Sequence, residues 1–157
     1  MTTKLAVAAA IAEAVACASG AQAQVTRTGA PNSAIAASAT VPAGYETIYL
    51  SGALPDGPAA GQPAGDAEAQ SNNVFAKIGA SLKALGLSEA DVVKMTIFMA
   101  APEGQKMDFA GMMKAYTKFY GSPTQPNKPT RSTVQVAALA SPTALIEVEV
   151  IAVRKPK

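Results

Sequence analysis

Apolar positions along this chain recur at two different periods, and the switches between them mark its elements. Residues 34–42 (AIAASATVP) suggest a strand of small residues. A Pro-Ala-Gly turn follows, and YETIYLSG (45–52) alternates well enough to be its hairpin partner. The next stretch, 52–65, is dense in glycine and proline and reads as a loop. It is no phosphate cradle, because Gly57 is followed by Pro58-Ala59 instead of the Lys-Ser/Thr pair that such a loop needs.

From Asp66 the period becomes helical. Val74, Ile78, Leu82 and Leu85 recur every three or four positions, with Phe75 beside them, so one face is apolar. Gly86 suits a left-handed cap at the helix end. VVKMTIFMA (92–100) reads as a buried strand. A second helix is predicted from Asp108, with Phe109, Met112, Met113, Tyr116, Phe119 and Tyr120 on its apolar side and the methionines as core filler. Pro123, Pro126 and Pro129 keep the following segment irregular. Strands are predicted at 131–138 and, after an ASPT turn, at 144–153.

The order β-β-α-β-α-β-β predicts an α+β fold with the helices on one face of a mostly antiparallel sheet. No internal repeat is visible. Valine-rich strands would leave the second sheet face as an uncovered apolar patch, which predicts a homo-oligomer.

The length of 157 residues suits a single domain with a proper core. The net charge of +2 comes with scattered lysines, so no basic stripe argues for nucleic acid. Residues 1–23 have the layout of a secretory signal: an early lysine, an alanine-rich run too short to span a membrane, and AQA before Gln24. The domain then covers 24–157, and the expected location is periplasmic or secreted, or cytoplasmic if the segment is no working signal. AVACAS around Cys17 is a poor match to a lipoprotein cleavage box, with Ala14 where a leucine is usual.

The chain has no histidine, and its one cysteine lies in that leader. The mature chain therefore lacks Ser-His-Asp and Cys-His machinery, a thiolate nucleophile and a His/Cys zinc site. A general base has to be a carboxylate, a lysine or a tyrosine.

Alternation along the strand at 131–138 puts Arg131, Thr133 and Gln135 on one face, expected to be polar, and Ser132, Val134 and Val136 on the other. In the last strand Glu147 and Glu149 share a face about 7 Å apart, opposite Ile146, Val148 and Val150. The plain alternatives are a surface arginine paired with a carboxylate and a solvated pair of glutamates, which would make a poor magnesium or calcium site. The sharper one has Arg131 gripping a small carboxylate through two parallel hydrogen bonds while a glutamate on a neighbouring strand orients a water.

IYLSGALP (48–55), residues 68–99, DFAGMMKAYTKFYG (108–121), PTRSTVQVAAL (129–139) and LIEVEVIAV (145–153) fall in the order and spacing of the RidA/YjgF family, which the chain resembles over about residues 30–155. The resemblance implies a chorismate-mutase-like α+β fold, a homotrimer with sites in clefts between subunits, and cofactor-free hydrolysis of enamines and imines such as 2-iminopropanoate to a 2-keto acid and ammonia. It implies that Arg131 binds the substrate carboxylate, that Glu147 activates water, and that Ser51 lines the cleft. Thr133 falls where many members have cysteine and would contribute through main chain as well as side chain. The chain departs from the family at two positions: Ser38 stands where a pocket tyrosine is usual, and Met113 where the second helix commonly presents an asparagine. The alternative is a trimer of the same family that binds a small carboxylate or metabolite without turnover. The ribonuclease activity ascribed to some relatives finds no histidine here and no basic patch with aromatic platforms. Neither a nucleic acid nor, once the leader is removed, a membrane is an expected partner.

Overall fold

Asp66 opens the first helix by accepting a hydrogen bond from the Ala69 amide, and Asp108 opens the second by accepting one from Gly111. These caps fix α1 at Ala67–Ala84 and α2 at Phe109–Phe119 in the computed structural model, which describes residues 24–102 and 104–156. The leader reading and Cys17 lie outside the described residues. The strands are β1 (Thr26–Thr28), β2 (Ser38–Thr40), β3 (Glu46–Ala53), β4 (Val92–Met99), β5 (Thr130–Gln135) and β6 (Ile146–Arg154). Gly86 ends α1 at φ +71°, with the Leu87 amide returning to the Leu82 carbonyl and the Gly86 amide to that of Lys83.

The main sheet runs β3-β6-β4-β5. β6 is antiparallel to both neighbours, whereas β4 and β5 are parallel, with α2 in the crossover that such a pair requires. Both helices cover one face. Against them lie Met95, Ile97, Met99, Ile146, Val148, Val150 and Ala152, packed with Val74, Phe75, Ile78, Leu82, Met112 and Tyr116. This is the expected α+β architecture.

Three local expectations fail. The predicted hairpin does not form: β2 pairs with β1 in a separate two-stranded ribbon, fastened by Thr28 Oγ1 and Ser38 Oγ at 2.7 Å. β2 is only three small residues long and has little apolar area with which to join the main sheet. Leu85 falls at the C-cap of α1 and Phe109 at the start of α2, and each stays 43% exposed outside the core. β5 ends at Gln135, short of residue 138.

Candidate functional site

Register decides where Arg131 points. In the parallel pair it lies beside Met95, and Thr133 lies beside Ile97, both of which are fully buried under the helices. Arg131 and Thr133 therefore project into the helix layer. Because β5 is the sheet edge, that layer is thin here and Arg131 is only half-buried. Above it, Phe109, Met113 and Tyr116 form a stripe on α2 at spacings of four and three.

The guanidinium carbon sits 4.2 Å from the centroid of the Tyr116 ring and 5.8 Å from that of Phe109, a cation–π seat. Its Nη1 donates to Met113 Sδ at 3.2 Å. Among the described residues no carboxylate lies within ion-pair distance of it. Burial pulls the Arg131 pKa below its ordinary value, and the Tyr116 hydroxyl partly opposes this. An arginine nevertheless stays charged at any physiological pH.

The seat is itself braced. The Tyr116 hydroxyl donates to the Ala34 carbonyl at 3.0 Å. Its ring stacks on Tyr120 at 5.2 Å and meets Phe75 of α1 edge-on at 6.1 Å. Burial pushes its pKa up to about 12, with the Arg131 charge pulling the other way. The expectation of polar neighbours around Arg131 is thus overturned: they are two aromatic rings and a thioether. Sequence reading assigned Phe109 and Tyr116 to the core. The 109-113-116 stripe was visible, but that it crosses the start of an edge strand depends on sheet order.

Thr133, two residues along the same face, has a buried hydroxyl oxygen with no hydrogen-bond partner. An unsatisfied buried polar group is costly, and this one lies on the strand face that carries Arg131.

Glu147 takes the opposite side of the sheet. It pairs in register with Phe98, between Ile146 and Val148, which face the helices. Its carboxylate lies against the backbone of β3, where a Cβ on Gly52 would run into it. Together with Phe98, Val136, Ala138 and Leu139 it borders a shallow hollow of about 300 Å³.

A bulge in β3 explains that approach. Leu50 pairs with Val150 and Ala53 with Val148, so three steps on β3 match two on β6 and Ser51 and Gly52 are pushed outward. Ser51 lies exposed on the same open face as Glu147, beside a second depression of about 420 Å³ shared with Tyr49, Lys94, Thr96 and Glu149. Within one chain, then, Arg131 and Thr133 belong to the helix side, and Ser51, Glu147 and Glu149 to the open side. Ser38 is exposed on the β1–β2 ribbon and bonds Thr28, while Met113 is at the guanidinium itself. Among the described residues, no group of three or more His, Cys, Asp or Glu side chains could hold a metal ion.

Residues 27–154 match the family model described as Endoribonuclease L-PSP. The chain is 38% identical over 112 residues to the 2-iminobutanoate/2-iminopropanoate deaminase of Bos taurus, covering 70% of this chain and 74% of that protein. It is 37% identical over 108 residues to a RutC family protein of Haemophilus influenzae, covering 69% and 79% respectively. Among solved structures, Escherichia coli TdcF with bound serine superposes with a TM-score of 0.58 at 35% identity, over 73% of this chain and 85% of TdcF.

Proposed function

The chain belongs to the RidA/YjgF family, the Endoribonuclease L-PSP group of the family model, and on that premise we propose that it is a hydrolytic deaminase of 2-imino acids. Water adds to the C=N carbon, the C–N bond breaks, and the products are the 2-keto acid and ammonia. Arg131 receives the substrate carboxylate through two parallel hydrogen bonds. Glu147 orients the water and takes its proton, then returns that proton to the departing nitrogen. An iminium carbon is already electrophilic, so positioning supplies much of what the reaction needs.

Arg131 and Glu147 face opposite sides of their own sheet, and in this proposal they meet across a subunit boundary of a homotrimer. The half-exposed face bearing Tyr49, Thr96, Phe98, Val134 and Ile151 is the surface that a neighbouring copy would cover. Ser51 lines the same cleft from the Glu147 side of the boundary, and Thr133 borders it from the other through its main chain.

One observation carries this reading: a half-buried guanidinium held on a braced tyrosine ring with no carboxylate partner among the described residues. Such a cation is prepared for an anion that arrives from outside. The test generates imines in situ with an amino-acid oxidase and follows keto-acid release. Faster release with the purified protein is expected, and equal rates with and without it refute the activity. A trimer that only binds small carboxylates is the second reading, because Arg131 alone would suffice for it. Calorimetry with pyruvate would then give tight binding in a protein without turnover.

A further inference from the structure

We propose that Met113 sets the substrate class of the Arg131 site, favouring 2-imino acids with an apolar side chain over those that carry a hydroxyl. The reaction is the one proposed above, so the inference rests on that reading. Its ground is the arrangement around the guanidinium. Tyr116 covers one face at 4.2 Å, Met113 Sδ occupies Nη1 at 3.2 Å, and the 43%-exposed Phe109 ring stands 5.8 Å away.

A thioether is a weak acceptor, and a carboxylate makes a shorter, charge-assisted bond to the same donor. An arriving carboxylate therefore displaces the sulfur from Nη1. The methionine side chain has three rotatable bonds and stays beside the guanidinium as a wall. Whatever the α-carbon of the ligand carries then lies against Met113 and Phe109. An apolar group there is removed from water against apolar atoms. A hydroxyl at the same place gives up its hydrogen bonds to water and finds only sulfur to accept from it. Thr133, the nearest other polar side chain on that strand face, has its oxygen sealed from solvent and supplies no acceptor at the open side.

An apolar pocket discriminates a methyl from a hydroxyl by about ten- to a hundredfold, and the half-buried setting of Arg131 puts this site at the lower end. The near-isosteric pair to compare is the imine of 2-aminobutanoate and that of serine, each generated in situ by an amino-acid oxidase. For the wild-type chain, KM for the first is expected about tenfold below KM for the second, with similar kcat. Met113→Gln, close in size but polar, is expected to bring the two within about twofold, and Met113→Leu to keep the preference. No preference in the wild type, or an unchanged ratio in Met113→Gln, overturns the inference while leaving the deaminase reading intact. If neither imine is hydrolysed, the deaminase reading falls and calorimetry with 2-oxobutanoate and 3-hydroxypyruvate decides the rest. Tighter 2-oxobutanoate binding that Met113→Gln abolishes supports the specificity role, and equal affinities refute it.

Discussion

The two faces of the main sheet are built from the same strands by alternate residues, yet they are finished differently. On the helix side, Met95, Ile97, Met99, Ile146 and Val148 have no exposed surface at all. On the other side, Thr96, Phe98, Glu147 and Ile151 are half-exposed, and Tyr49 is 77% exposed. The first face is closed by the chain's own helices. The second mixes apolar and charged residues and is left open by the described residues. A face that is complete in one copy serves stability, while in the proposed trimer the open one serves assembly and, through Glu147 and Ser51, the proposed chemistry. Arg131, with Thr133 on the same strand, is a polar exception on the stable face, at the outer strand of the sheet.

Truncating the closed face should have the largest effect. Ile146→Ala is expected to cost about 3 kcal/mol of stability, read by denaturant unfolding. Val134→Ser on the open face should leave monomer unfolding within about 0.5 kcal/mol and weaken self-association, read by sedimentation. A similar loss of folding stability from both would break the comparison. Next, Arg131→Ala should raise KM for an imino acid about 100-fold, and Glu147→Gln should lower kcat about 100-fold with KM little changed. Equal losses of both parameters in both variants would contradict the division of labour.

The proposed boundary-spanning site can be tested by mixing. Reassembled trimers of Arg131→Ala and Glu147→Gln in equal amounts should regain roughly a quarter of wild-type activity, because a random neighbour restores one site in four. No recovery means that both groups serve from the same chain. Gly52→Ala forces the Glu147 carboxylate aside, and a fall in kcat of about tenfold is expected without loss of folding. The smallest effect concerns alkaline stability. Tyr116 has its folded pKa raised to about 12 from 10.0, so its contribution is complete below pH 10 and is lost as pH rises toward 12. Tyr116→Phe should make that part of the stability–pH curve less steep while keeping the ring under Arg131, the remaining slope coming from Tyr120, whose pKa burial also raises.

Much of this was legible in the sequence, and the limits follow from what periodicity encodes. Asp66, Gly86 and Asp108 act locally on their own helices, so both helices lay within a residue or two of expectation. Alternation in IEVEV placed Ile146, Val148 and Val150 on the buried side and both glutamates opposite. Pairing is not local. The short β2 carried no signal for choosing β1 over β3, and β1 itself passed unread. The same limit hid the surroundings of Arg131: the α2 stripe and the strand were each visible, but their meeting depends on β5 being the outer strand beside β4. Met113 stands out by position in the sequence, and only the structure brings its sulfur against the guanidinium.

A cation resting on a ring, with no carboxylate paired to it among the described residues, is open to any small oxyanion in the medium. Phosphate or sulfate buffers should then act as competitive inhibitors where chloride or a zwitterionic buffer does not, and the choice of buffer becomes part of any measurement on this protein.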